Sequence, residues 1–285
     1  MEQAWLVVNA FLHGEAFERM EQLLLASAMD SGIKMALKTN TDFLNAASLK
    51  NTPKAALFFD KDFRLAKRME QAGMRLFNSA KAIAVCDDKT LTTLQLDEAQ
   101  LPQPQTILCP MSFPGVGYGN LDFLESIADQ LSFPLVVKEG KGSFGRQVYL
   151  AENMEQLKAR VLQIGHKEIL FQRFIGESAG QDLRLYVVGS QVIASIRRIN
   201  LKGDFRANLE NGGTAYSYQP TQAETDLALK ACAACGTDFA GVDLLLGREG
   251  PLVCEVNSNA HFLGLMAVTG INPAKDIMRL VKDVL

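Results

Sequence analysis

Apolar positions fall along this chain in two successive rhythms. Over the first 80 residues, short apolar runs alternate with segments of helical spacing: residues 5–8, 33–37 and 55–59 read as strands, and 15–28 and 62–71 as amphipathic helices. Strand and helix in turn argue for a small parallel α/β lobe, placed at residues 1–85. One helix is expected over 80–98, running through Asp87-Asp88-Lys89-Thr90 until Leu101-Pro102-Gln103-Pro104 breaks it. The Pro-Gly-Val-Gly-Tyr-Gly segment at 114–119 is a turn-rich loop.

From residue 133 the strands arrive in adjacent pairs around short glycine turns: 133–139 with 146–150, 183–188 with 191–197, and 241–246 with 252–256. Such pairs are hairpin signals. Helical stretches at 153–164, 221–235 and 273–284 separate them, which predicts an α+β body divided into a central unit (86–172) and a C-terminal unit (173–285).

The 285 residues are enough for two or three lobes, and 48% hydrophobic with 21% charged residues is ordinary for a soluble globular protein. No run approaches the ~18 uncharged apolar residues of a membrane span. Met1-Glu2-Gln3-Ala4-Trp5 lacks the basic start and apolar core of an export signal, so a cytoplasmic location and no membrane association are expected. Dispersed basic residues and a net charge of −3 argue against nucleic acid as a partner. The five cysteines, an odd number, fit reduced thiols; Cys232 and Cys235 form a C-x-x-C, but in an alanine-rich helical stretch that reads as helix packing rather than a zinc site. A homo-oligomer is left open.

Gly140-Lys141-Gly142-Ser143-Phe144-Gly145 matches G-x-G-x-x-G, a weak signal alone. A dinucleotide fingerprint requires a helix after the loop, whereas residues 146–150 are an extended run. A glycine loop between strands can close over phosphates with its backbone N–H groups, and Lys138 places a cation beside it; it can equally be a plain hairpin turn. A protein kinase uses a similar device, but no His-Arg-Asp or Asp-Phe-Gly is present. Further on, Glu255 and Asn257 share one face of a returning strand opposite the strand of Asp243. Hard oxygen donors without histidine or thiolate suit Mg²⁺ or Mn²⁺ holding phosphates, although an ordinary solvent-facing hairpin would read the same way. Arg206 and Asn208 stand before Asn211-Gly212-Gly213 in a loop suited to phosphate or carboxylate.

Taken in order, these segments resemble ATP-grasp ligases of the RimK type, the alpha-L-glutamate ligase-like enzymes, from Asp88 to the C-terminus. The resemblance implies an ATP-grasp fold with an N-terminal pre-ATP-grasp lobe. By it, Lys89, Lys138, Gly142, Ser143, Phe144, Gly145, Gln172, Arg173, Phe174, Ile175, Asp182, Arg206 and Asn208 bind the nucleotide. Asp243, Glu255 and Asn257 hold Mg²⁺ or Mn²⁺ as two ions, and Arg206 and Arg184 serve catalysis. The implied reaction is phosphorylation of a carboxylate by ATP, followed by attack of an amine, with an amino acid such as glutamate and a peptide or small-molecule carboxylate as partners. A catalytically silent nucleotide-binding regulator is the alternative. Two departures stand out: Arg173 replaces an acidic residue usual in the adenine strand, and Ser258-Asn259-Ala260-His261-Phe262 replaces a Ser-x-Pro-Gly.

Overall fold

In a computed structural model, residues 3–209 and 212–285 are described; Met1 and Glu2 of the N-terminal stretch and Asn211 of the Asn-Gly-Gly turn lie outside them, as does Glu210. Strands β1 (Ala4–Val8), β2 (Met35–Thr39), β3 (Ala55–Phe59) and β4 (Arg75–Phe77) form a parallel sheet in the order β2-β1-β3-β4. Strand β1 is buried along its whole length because its alternate residues serve two cores. Ala4, Leu6 and Val8 meet Met20, Leu24 and Ala28 of α1 (Glu15–Asp30). Trp5 and Val7 meet Leu65, Ala66 and Met69 of α2 (Phe63–Gln71) and Ile83 of α3 (Ala80–Asp87).

Two expectations shift for identifiable reasons. The second strand begins at Met35 rather than at residue 33, because Ile33 belongs to the end of α1. Gly32 takes the left-handed conformation (φ 77°) and donates to Met29 O, while Ile33 N–H donates to Ala28 O and its side chain is buried, so the pair closes the helix as a Schellman cap. The helix expected over 80–98 is two helices, α3 and α4 (Lys89–Glu98), since Asp88 turns extended (φ −118°, ψ 110°) and caps the second one by accepting from Thr90 N–H at 2.9 Å. That break puts Lys89 at the start of a helix beside the glycine loop.

Strands β5 (Thr106–Leu108), β6 (Leu135–Glu139), β7 (Val148–Ala151) and β8 (Ile169–Arg173) make an antiparallel sheet ordered β5-β8-β6-β7. Leu135, Val137, Ile169 and Phe171 pack on α5 (Phe123–Leu131) and α6 (Met154–Ile164), which leaves Val136, Lys138 and Gln172 on the opposite face, lining a cleft.

The third sheet is antiparallel, with β9 (Gln181–Val188), β10 (Gln191–Ile199), β11 (Thr214–Ser217), β12 (Phe239–Gly247) and β13 (Gly250–Asn257) in the order β11-β10-β9-β12-β13. One face, including Leu183, Leu185, Val187, Val242 and Leu244, is covered by α7 (Gln222–Cys235), whose start carries a reciprocal Thr221–Glu224 capping box. Cys232 and Cys235, on the inner face of α7, are buried as expected, and burial pushes the Cys232 thiol up to about 12. After α8 (Leu263–Thr269), α9 (Pro273–Lys282) returns to the first sheet: its Ala274, Ile277, Met278 and Val281 share one core with Leu6, Leu24, Tyr186 and Phe239. The buried amide of Asn78 ties the same junction, donating to Phe239 O and Ser258 O at 2.9 Å each. Among the described residues, no helix is long and apolar enough to cross a membrane.

Candidate active site

The central and C-terminal sheets face each other across a cavity of about 110 Å³ roofed by the glycine loop. All thirteen nucleotide-binding candidates line it: Lys89, Lys138, Gly142, Ser143, Phe144, Gly145, Gln172, Arg173, Phe174, Ile175, Asp182, Arg206 and Asn208. Val136, Leu245 and the edge-to-face pair Phe174–Phe205 make part of its wall apolar. Lys138 is 6% exposed, and its ammonium meets only Cys254 Sγ, at 3.7 Å, among the described residues. A buried cation without a counter-ion is costly, so the cavity is built for an anion. Arg173 sends its guanidinium to Gln130 O, at the end of α5, at 3.0 Å, so this departure from the family pattern does not carry its charge into the cleft.

The loop is closed onto its surroundings at several points. Lys89 Nζ donates to Gly142 O at 2.9 Å, Arg206 to Gly145 O at 2.7 Å, and Lys61 Nζ to Ser143 Oγ at 2.9 Å, while Phe144 meets His261 edge-on at 5.8 Å. At Gly142 (φ 153°) a side chain would run into Gln147, which explains why glycine is needed there. Arg206 is itself oriented by Asp204, which accepts from its Nε and Nη2 at 3.0 and 2.7 Å.

On the hairpin β12–β13, Asp243 lies directly opposite Glu255. The register then slips by one, since Leu244 pairs with Val253 and Cys254 is the extra residue of a β-bulge. The bulge turns both Cys254 and Glu255 toward the nucleotide cavity, and burial raises the Cys254 thiol with Lys138 opposing. Asn257 follows on the Glu255 face, its amide donating to Gly241 O at 3.4 Å.

Period-2 reasoning could not show how Asp243 is engaged. Arg184, on the neighbouring strand β9, donates to both its oxygens at 2.7 and 2.6 Å, and Arg198 of β10 adds a third contact at 3.0 Å. Arg198 also clasps Asp182 at 2.6 and 2.7 Å. Burial works against a charged Asp243, but the two guanidiniums outweigh it and hold the carboxyl below the usual aspartate value. At Asp182 burial wins and the carboxyl is raised, with Arg198 opposing and Asp243 adding to the rise. Gly241 keeps this space open, since a Cβ there would meet Ala260 at 2.6 Å and Arg184 at 3.4 Å. Glu255 stands 3.4 Å from Lys89. No cluster of three or more acidic, histidine or cysteine ligands exists among the described residues. Two carboxylates and an amide beside a phosphate-sized cavity fit Mg²⁺, which takes one or two carboxylates and completes its shell with phosphates and water.

A second, larger cavity of about 310 Å³ lies between the first sheet and the C-terminal one, lined among others by Asn9, Phe17, Glu21, Asp60, Arg184 and His261. Ser143, Phe144, Asn208 and Glu255 border both cavities, so the two meet at the acidic hairpin; Asn257 and Arg184 face the larger one.

Residues 86–281 match the model of the RimK-like ATP-grasp domain. The chain belongs to the RimK-like ATP-grasp family. Among sequence relatives of this ATP-grasp protein, a probable alpha-L-glutamate ligase of Stenotrophomonas maltophilia is 35% identical over 218 residues, 76% of this chain and 72% of that one. Human N-acetylaspartylglutamate synthase A is 32% identical over 234 residues, covering 81% of this chain and 58% of that protein. A D-alanine–D-alanine ligase from Bacillus anthracis, solved in complex with ATP, superposes with a TM-score of 0.76 at 15% identity over 100% of this chain and 97% of that one, a likeness of fold. Against this ATP-grasp frame, sequence reasoning missed Arg198, Cys254, Lys61 and Asp60. Arg198 sits next to Arg197 on a strand with no signal to separate them, and Asp60 and Lys61 lie in the first lobe, which the motifs do not reach.

Proposed function

We propose that this chain is a carboxylate–amine ligase that uses ATP to join an amino acid, glutamate above all, to the carboxylate of a peptide or small molecule. The names of both relatives contain glutamate, which supports it as the amine. The observation that carries the reading is the junction of the two cavities: a buried lysine lacking a counter-ion on one side, a substrate-sized space on the other, and Glu255 and Asn208 shared between them. Bound ATP would supply the phosphoryl group that turns a carboxylate into an acyl phosphate, from which an amine forms the amide.

The residues present fit that chemistry by position and charge. Lys138 and Arg206 neutralise phosphate oxygens, the closed loop excludes water from the phosphoryl group, and Arg184 at the border orients the acid. Asp243, Glu255 and Asn257 would hold Mg²⁺ or Mn²⁺, as two ions, in place of the arginine contacts that Asp243 makes here. In this reading residues 1–85 form the substrate-side lobe, 86–172 and 173–285 the two units that grasp the nucleotide, and the location is the cytoplasm.

The test is an ADP-release screen crossing glutamate and other amino acids with a panel of carboxylic acids and peptides. ADP should form only when acid and amine are both present. No ADP from any pair, under conditions where AMP-PNP binds, refutes the reading.

A further inference from the structure

The larger cavity has a charge imbalance opposite to that of the nucleotide cavity. Its cations are all engaged: Arg184 and Arg198 by Asp243 and Asp182, and Lys61 by Asp87 at 2.6 Å. Of its carboxylates, Glu255 has Lys89 at 3.4 Å, whereas Asp60 and Glu21 have no cation within ion-pair distance among the described residues. Asp60 is 4% exposed, yet only neutral groups hold it: Asn9 Nδ2 reaches its two oxygens at 3.1 and 3.3 Å, and the Lys61 N–H reaches Oδ1 at 2.7 Å. A carboxylate accepts about four hydrogen bonds, so Oδ2, with Asn9 alone, has capacity left.

The neighbouring groups repeat the pattern. Asn259 gives its amide N–H to the Asp60 carbonyl at 2.5 Å, and its buried Oδ1 has no donor among the described residues. Glu21 lies one turn beyond Phe17 on the face of α1 that lines the cavity; burial and then Glu18 raise its carboxyl, with His13 opposing. Acceptors and negative charge without an ion-pair partner thus gather where the first lobe meets Asn259, and a buried carboxylate such as Asp60 gains when a counter-charge arrives.

We propose that this wall is an ammonium subsite: the amine substrate enters the larger cavity with its charged nitrogen against Asp60 and Glu21, Asn259 supporting the same wall. The assignment rests on the ligase reading for calling that substrate the amine, but the subsite is a matter of binding and needs no turnover. A peptide or amino acid with a free amino group fits it, and an N-acylated one does not. It also accounts for residues of the first lobe that the nucleotide side leaves unused.

The experiment is calorimetric titration of the full chain, with AMP-PNP and MgCl₂ present, by glutamate, aspartate, alanine and lysine, each against its Nα-acetyl form. At least one free amine should bind about 10-fold or more tightly than its acetylated form, and Asp60→Asn should abolish that preference while AMP-PNP still binds. Glu21→Gln, at a half-buried position with no hydrogen bond or ion pair among the described residues to lose, should weaken the same amine about 3-fold; it decides the matter if Asp60→Asn does not fold. No preference for any free amine, or a preference that survives the substitution, overturns the subsite. Either result leaves the ligase reading to its own ADP-release test.

Discussion

Removing Arg198 tests the charge network beneath the cleft. The residue is 3% exposed and makes two contacts to Asp182 and one to Asp243, so Arg198→Met keeps the bulk of the side chain and deletes the cation. Asp243 retains both bonds from Arg184, and the loss therefore falls on Asp182, left buried with no arginine of its own. Breaking a buried pair costs about 3–5 kcal/mol. Protonation caps that cost, because Asp182 can become neutral: at pH 7 the cap is at most about 1.36 kcal/mol for each of the ~3 units separating pH 7 from a free aspartate, or ~4 kcal/mol, and the deficit against the wild type stays below it because burial already raises Asp182 there. The expected loss is thus about 2–3 kcal/mol at pH 7.

The sign of the pH dependence follows. Burial already raises the folded Asp182 carboxyl in the wild type, and without Arg198 it rises further, so the variant's folded state binds more protons and gains more stability as the pH falls. At pH 5 the same cap is only about 1.5 kcal/mol, and the deficit against the wild type should shrink accordingly. Urea unfolding of both proteins at pH 7 and pH 5, followed by far-UV circular dichroism, measures it. A loss below about 1 kcal/mol at pH 7, or a deficit that is the same at both pH values, would refute the assignment of Arg198 as the cation that keeps Asp182 charged.

Three further outcomes are expected. Glu255→Gln should reduce ADP formation by at least the ~10–100-fold that even outer partners of a metal site cost, while AMP-PNP binding without metal persists; a silent nucleotide-binding regulator would instead tolerate it in full. Lys61→Met removes the contact to Ser143 Oγ at the loop and should raise the KM for ATP about 3-fold with little change in kcat, as steady-state kinetics will show, since the side chain is 46% exposed and its ion pair is screened. Asp243 has a lowered carboxyl, so its pairing stabilises the fold above the ordinary aspartate value of about 3.9 and is lost only below it. The stability gap between wild type and Asp243→Asn should hold from pH 7 to pH 5 and close below about pH 4 in the same urea assay.

The site was legible in the sequence wherever a residue's role depends on its neighbours in the chain. Lys138 enters a glycine loop, and Glu255 and Asn257 alternate on one strand, so spacing set the lysine beside the loop and period set the two oxygen donors on one face of their strand. Such local signals also located nine of the strands to within a few residues. They failed at Asp88, where a single aspartate cap divides one apparent helix into two, and at Ile33, whose apolar side chain serves a helix end rather than a strand. Both failures come from side-chain and backbone hydrogen bonds that hydropathy does not register.

The chain's own order of residues determined the succession of lobes, the glycine loop between two strands and the set of oxygen donors on the last hairpin, because each of these arises from contacts a few residues apart. Only the tertiary structure decided that Arg184 and Arg198 converge on Asp243, that Cys254 bulges toward Lys138, and that Asp60 and Glu21 face the hairpin across a shared cavity. Those partners come from different strands and lobes, and a charge's meaning depends on which other charge folding brings within about 4 Å of it, a distance no one-dimensional pattern contains.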